Sequence, residues 1–481
     1  MKNIPPKAIC SASPLLLMLG LLGAPVLGAP VSQDEAVRAA DLWYAMELNS
    51  DNTRLDRAER MRLMPSREVL YLVAADSLLD TPLVDRPTLA YVVKYRPHGY
   101  VVVAGDDRLS PIMVFSTESD FSWENPERNF LRHFINTAVP ARWQQPGAAT
   151  DRRWLRLRSK AGANLESVTF DTDDVHLVWN TPLWGQEQWY NDTCVAHNGG
   201  NGVPTGCVAT AMAIKMKFHE WPPTGNGSHS YNDNWDSIRY SHSVDYGATA
   251  YNWLQMPLQS LTSPNHEVAR VMYHAGVSVN MNYEVDESGA STLNIGWALC
   301  DHFRYKGAYM STDNHLDRAR TSILARSPVN MGGYGHSVVA DGYREPAPDD
   351  SFFHVNAGWD GTNNGWYCIA WMPPGGSVSA SVEYAVPENW FYVAHDAGST
   401  GYGLITQPYR YLSEGQGNVP VGGWMLIKEG LYTGSNNVPV TLSGAKTIVS
   451  YNVGTANIDG KLALFEDGRI DITGNGQVRI Y

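Results

Sequence analysis

A cysteine, a histidine and an asparagine stand in settings that suit acyl transfer. Cys207 lies in Pro204-Thr205-Gly206-Cys207-Val208-Ala209-Thr210-Ala211-Met212-Ala213. Ala209, Met212/Ala213 and Met216 make an i, i+3/i+4, i+7 stripe, so a helix begins at the cysteine and stops before Pro222-Pro223. Thr205 is the expected cap. A thiol at a helix start meets unpaired N–H groups and the positive end of the dipole, which favour thiolate, the nucleophilic form. His336 follows Gly332-Gly333-Tyr334-Gly335 and heads a strand-like run. Gly333 and Gly335 would let a substrate backbone approach closely. Asn356 sits in Phe352-Phe353-His354-Val355-Asn356-Ala357-Gly358-Trp359. Between the two, residues 345–350 read as a turn, and Pro346 is the midpoint of His336 and Asn356. A hairpin of that geometry would set the two side chains face to face. An Asn carbonyl there fixes the imidazole tautomer, and the other ring nitrogen takes the thiol proton.

An acyl-transfer centre also needs donors for the developing oxyanion. The backbone N–H of Cys207 is one. The stretch Trp179 to Asn191 offers Gln186 and Gln188 as a side-chain donor, and residue chemistry alone does not choose between them. A lone cysteine is more often a buried structural residue, and a lone strand histidine more often a satisfied core group. Here the helix start at Cys207 and the glycine lead into His336 set these two apart. The other histidines lack such a lead and read as surface or core. No cysteine or histidine pair has metal-site spacing, so neither metal nor cofactor is expected.

These residues need a scaffold, and 481 residues are too many for one ordinary core. The first 28 residues read as an export signal: Lys2 and Lys7, an apolar run from Pro14 to Leu27, then Val26-Leu27-Gly28. That run is too short for a membrane span, and no later one is longer. Residues 29–168 combine a helix carrying Ala36, Ala39/Ala40 and Trp43 with strand-like runs at 69–73, 90–95, 99–107 and 112–117. The polar, Arg-rich stretch 144–167 reads as a linker open to proteolysis. Residues 169–395 hold the reactive groups, with a second helix from about Pro264 to Ala275 stopped by Gly276, and strands near 329–344 and 351–356. Residues 396–481 form short strand-like runs separated by Gly or Asn, an all-β module that is either a sandwich or stacked solenoid rungs. The whole is α+β.

Composition narrows the partners. A net charge of −13, with no basic run, argues against nucleic acid and anionic membranes. Once the signal is removed with Cys10, the cysteines are Cys194, Cys207, Cys300 and Cys368, too sparse for a disulfide framework.

The ordered motifs resemble the streptopain-like (interpain-type) secreted cysteine proteases. They are Thr205-Gly206-Cys207-Val208-Ala209-Thr210-Ala211, Met216-Lys217-Phe218-His219, Tyr251-Asn252-Trp253, Ala275 to Tyr283, Gly335-His336, Asp341-Gly342 and His354-Val355-Asn356 with Gly358-Trp359. The match covers roughly 175–395, and Val102-Val103-Ala104-Gly105-Asp106-Asp107 resembles the family's inhibitory propeptide. The resemblance implies a papain-like two-subdomain protease, with an α+β propeptide domain before it. It makes Cys207 the nucleophile, His336 the base, Asn356 the orienter of the histidine, and Trp359 the ring that packs over the pair. Gln186 becomes the oxyanion donor, because it stands four before Tyr190-Asn191. The family has a tryptophan directly after the asparagine; here Ala357 stands there, which weakens the shielding of His336. The implied function is a secreted endopeptidase zymogen. It works through a thioester, prefers a bulky apolar P2 residue in protein or peptide substrates, and is held by its own propeptide. Two rivals follow from the same residues: a non-enzymatic binding protein on a decayed scaffold, supported only by Ala357, and an amidase or transglutaminase-like acyltransferase.

Overall fold

The computed structural model describes residues 29–49, 67–73, 88–122, 135, 150–160, 162, 174–176, 180–194, 202–233, 240–312, 315–333, 335–347, 350–368, 380–437, 440–443, 447–458, 462–465, 469–470 and 477–480. The export segment 1–28 lies outside them. No helix among the described residues is long and apolar enough to cross a membrane.

Helix α1 (Gln33–Asn49) buries Ala36, Ala39, Ala40 and Trp43. It packs on an antiparallel meander of β1 (Arg67–Val73), β2 (Thr88–Tyr95), β3 (Tyr100–Ala104) and β4 (Ile112–Ser116). Every residue of β3 and β4 is buried, in keeping with their almost wholly apolar runs, Tyr100 to Ala104 and Ile112 to Phe115. The Arg-rich stretch expected to be open linker instead forms helix α2 (Arg152–Ser159). Asp151 caps it, Trp154 donates its indole N–H to the Leu109 carbonyl, and Arg158 pairs with Glu35 and Asp107. The arginines find carboxylates on the N-terminal domain, a partnership that local composition does not reveal.

The strand β5 (Asp174–His176) precedes the cysteine helix α3 (Cys207–His219). A small hairpin follows, β6 (Ser228–Asn232) with β7 (Ser241–Asp245). Helices α4 (His266–Ser278) and α5 (Asn294–His302) complete a core that surrounds α3. Asn265 caps α4, and the helix runs through Gly276 rather than stopping there. One internal glycine weakens a helix by only about 1 kcal/mol, which tertiary packing outweighs.

The rest of this region is sheet: β8 (Tyr305–Lys306), β9 (Tyr309–Ser311), helix α6 (His315–Leu324), then β10 (Val329–Gly333), β11 (His336–Ala347), β12 (Asp350–Asn356), β13 (Gly365–Cys368), β14 (Ala380–Glu383) and β15 (Val386–Pro387). The single strand expected over 329–344 is broken at Gly335, where the chain turns from β10 into β11. Ten strands run in the order β1-β2-β3-β4-β13-β12-β11-β10-β14-β9, and β5 also pairs with β11, giving an 11-stranded sheet. The N-terminal domain therefore joins edge to edge, with Phe115 opposite Trp366 and Val114 opposite Tyr367. The core is shared as well. Trp43 packs on Phe115 at 5.5 Å and on Phe352 at 5.6 Å, and buried Arg344 of β11 pairs with buried Glu47 of α1 at 2.7 Å.

Strand β16 (Trp390–Val393) opens the C-terminal sheet, which thus starts before residue 396. The module is not all-β as expected, because helix α7 (Leu412–Asn418) comes next; it is followed by β17 (Trp424–Tyr432), β18 (Val440–Ser443), β19 (Thr447–Ile458), β20 (Leu462–Phe465), β21 (Arg469–Ile470) and β22 (Gln477–Ile480). All pairings here are parallel. Trp424 lies opposite Thr447, Thr447 opposite Arg469, and Val440 opposite Leu462. Parallel pairs at a near-constant offset are stacked rungs, which decides between the two expected β architectures. The module docks at the far end of α3, where Trp390 meets His219 edge to face at 4.9 Å. His219 is the last and Cys207 the first of 13 helical residues, so the contact lies about 18 Å from Cys207.

Candidate active site

Cys207 is the first residue of α3, as its stripe predicts. The cap, however, is Gly206, with φ +84° and no side-chain cap bond; the Thr205 hydroxyl instead shares a buried hydrogen bond of 2.9 Å with Thr210. Glycine is required at 206 for two reasons. Few L residues adopt that backbone, and a Cβ would sit 2.7 Å from both the Met281 sulfur and the Ser288 carbonyl. The turn thus presses the loop 281–288 against the head of the helix.

His336 is the first residue of β11, and Gly333 pairs with it across the turn. The backbone N–H of Ser337, the next residue, acts on the Cys207 thiol and pulls its pKa down. That influence, and the bond from Asn330 Nδ2 of β10 to the Ala211 carbonyl of α3 at 2.8 Å, put the start of α3 beside the head of β11. Gly335 lies exposed in the turn with φ +73°. Trp359 stacks on the imidazole at 4.4 Å between centroids and 30° between planes.

Asn356 does not face His336. Register shifts in the β11–β12 pair place it opposite Val339, and β11 continues through Pro346 to Ala347. The turn expected with its midpoint at 346 is therefore not centred there, since Pro346 is still strand. The partner of His336 is a backbone group: Nε2 lies 2.8 Å from the Ala357 carbonyl. A carbonyl only accepts, so Nε2 carries the proton and Nδ1 of the neutral ring is the bare base. Asn356 works one step away. Its Nδ2 donates to the Pro182 carbonyl at 2.9 Å, and its Oδ1 accepts from the Gly358 N–H at 3.1 Å. It shapes the bend that aims the Ala357 carbonyl. Because that acceptor is main chain, the alanine at 357 leaves it in place, and the stacked Trp359 still covers the ring.

The two candidate glutamines separate cleanly. Gln188 is exposed, whereas Gln186 is half-buried beside this wall. Its Nε2 points at the Gly358 carbonyl at 3.5 Å, and its backbone carbonyl accepts from Thr205 N–H at 2.9 Å, two residues before Cys207.

Electrostatics depart from the expectation of a ready thiolate. Burial pushes the Cys207 thiol up, although the N–H groups of Ser337, Val208 and Cys207 itself pull it down; Glu287 adds to the rise. Burial likewise lowers His336 to about 4, against the opposing effect of the Ala357 carbonyl. Desolvation outweighs the helix start, because a charge of either sign loses more from leaving water than a few N–H groups return. Thiol and imidazole are both neutral in this form, and no hydrogen bond joins them among the described residues.

The N-terminal domain reaches this wall. Asp120 carbonyl accepts from Asn363 N–H at 3.0 Å, and Ser122 exchanges two hydrogen bonds with the Asn363 side chain. Tyr100 donates to the Asn364 carbonyl, and the Asn364 side chain accepts from Ala357 N–H at 2.9 Å. Backbone roles such as those of Ala357 and Ser337 have no sequence signature, since every residue carries a carbonyl and nearly all an N–H.

Comparison with known proteins gives two family matches and several relatives. Residues 184–367 match the Peptidase C10 family, and residues 28–138 match the Spi protease inhibitor family. The chain is 27% identical over 338 residues to the thiol protease/hemagglutinin PrtT of Porphyromonas gingivalis, spanning 64% of this chain and 37% of that protein. It is 24% identical over 305 residues to streptopain of Streptococcus pyogenes, spanning 59% of this chain and 74% of that one. A fragment of Prevotella intermedia prointerpain A superposes with a TM-score of 0.49 at 24% identity, over 66% of this chain and 98% of the fragment. Residues 184–367 thus carry a Peptidase C10 family domain, and with the streptopain and PrtT relatives they support a streptopain-like cysteine protease.

Proposed function

We propose that the chain is an exported zymogen of a cysteine endopeptidase. Cys207 Sγ attacks the scissile carbonyl carbon while His336 Nδ1 takes the thiol proton. The proton passes to the leaving amine as the C–N bond breaks, giving a thioester. Water, deprotonated by His336, then releases the acid and restores the thiol. The Cys207 N–H and the Gln186 side chain serve the oxyanion. Gly333, Gly335 and Trp359 line the substrate path, and a bulky apolar P2 residue is preferred. The helical core around α3 and the sheet core around β10–β13 act as the two subdomains of a papain-like protease, with the cleft between them.

One observation carries this reading. His336 is held on the Ala357 carbonyl through Nε2, which leaves Nδ1 bare, at the head of the strand that packs against the helix Cys207 opens. The N-terminal domain acts as the inhibitor by gripping Asn363 and Asn364, one hydrogen bond from Ala357. Its own release follows cleavage within residues 144–172. The test compares wild type with Cys207→Ala. Wild type should shorten itself and cleave casein, while the variant stays full length and inert. Identical maturation of both, with no reaction toward a thiol-directed epoxide, would overturn the assignment.

A further inference from the structure

The segment 184–190 links the turn before Cys207 to the wall that bears Trp359 and carries Gln186, but a glutamine side chain is only as well placed as its support. On the cysteine side the Gln186 carbonyl is tied to Thr205. On the histidine side the support is Asp360, the residue after Trp359. Its Oδ1 accepts from the Tyr190 hydroxyl at 2.6 Å, its N–H points to the Trp184 carbonyl at 3.4 Å, and its carbonyl accepts from the Ser260 hydroxyl at 3.1 Å. Tyr190 is buried, and its oxygen also accepts from Leu261 N–H at 2.8 Å and faces the Gly185 amide. The carboxylate occupies the space a side chain at 185 would need: a Cβ there would lie 2.2 Å from Asp360 Oδ2. Asp360 has φ +51°, a conformation aspartate and asparagine tolerate better than most residues.

We propose that Asp360 and Tyr190 are positioning residues that hold Gln186 in place for oxyanion stabilisation, by clamping the segment 184–190 to the wall that bears Trp359. This rests on the endopeptidase reading above. Neither residue touches substrate. Each acts through Gln186, so its loss weakens the transition state and leaves ground-state binding intact.

The test uses the matured protease and a peptide substrate. Tyr190→Phe removes the bridging hydroxyl and should lower kcat roughly ten- to a hundredfold with KM unchanged, the scale expected when a catalytic donor is left loose. Gly185→Ala, whose methyl displaces the carboxylate, should do the same. In a Gln186→Ala background, Tyr190→Phe should change kcat less than about twofold, because both substitutions remove one contribution. Thermal unfolding of each variant checks that the fold persists, and Asp360→Asn, which keeps the left-handed backbone, stands in where Tyr190→Phe does not fold. Equal losses with and without Gln186, or full kcat in the variants while wild type cleaves, would overturn the clamp. An inert wild type would overturn the endopeptidase reading instead.

Discussion

His336 is neutral in this form because burial, not a charged partner, sets its protonation. That state has a measurable consequence. Its folded pKa, about 4, lies below the ordinary 6.5 of the unfolded chain. Between those values the unfolded state binds the extra proton, so stability falls as pH drops from about 6.5 toward 4 and is flat above. Going from pH 7 to pH 5, this one histidine should remove about 2 kcal/mol of unfolding free energy. Denaturant unfolding of Cys207→Ala beside Cys207→Ala/His336→Gln measures it. The double variant should lose about 2 kcal/mol less over that pH step. Equal slopes would mean that the imidazole is solvated and free to protonate. Among the candidate site residues, the side chains could be singled out in the sequence. Cys207, His336, Gln186 and Trp359 are chemically distinctive and stand in distinctive neighbourhoods. The acceptor for His336 was not, because it is the main chain of an alanine, and Asn356 drew attention that belonged to its neighbour.

The elements that hold these residues were legible wherever one local rule decided them. The stripe of α3 and the run before β11 put Cys207 and His336 at element heads. Registers were not legible, since they are settled by bulges and by partners far away in the chain. The β11–β12 pair shifts twice, and that moved Asn356 three residues from its expected position opposite His336 to Val339. The cap at Gly206 shows the same limit, because only the approach of Met281 and Ser288 explains why threonine does not cap. Gly206→Ala should therefore destabilise the protein by about 1–3 kcal/mol and disturb the thiol that follows. Denaturant unfolding and kcat on the same preparations check it. Unaltered values in both would show that the loop 281–288 gives way freely.

At the scale of the molecule, the N-terminal domain is built into the body of the protein. One sheet and one core run through both, closed by the Glu47–Arg344 pair and by the grip of Ser122 and Tyr100 on residues 363–364. The sequence shows an α+β segment before the reactive region, but a continuous sheet depends on one edge pairing, β4 to β13, that no local pattern encodes. On the zymogen reading proposed above, the same continuity keeps the reactive groups quiet, with burial favouring the neutral thiol and imidazole. The most direct measurement is labelling by a thiol-directed epoxide, located by mass spectrometry, on full-length wild type isolated before processing and on the matured form. Cys207 should take up the label only after maturation, and His336→Ala should abolish the uptake even when the N-terminal domain has been removed. A matured protein that cleaves peptides while Cys207 stays unlabelled, or labelling of the exposed Cys300 in its place, would contradict the account.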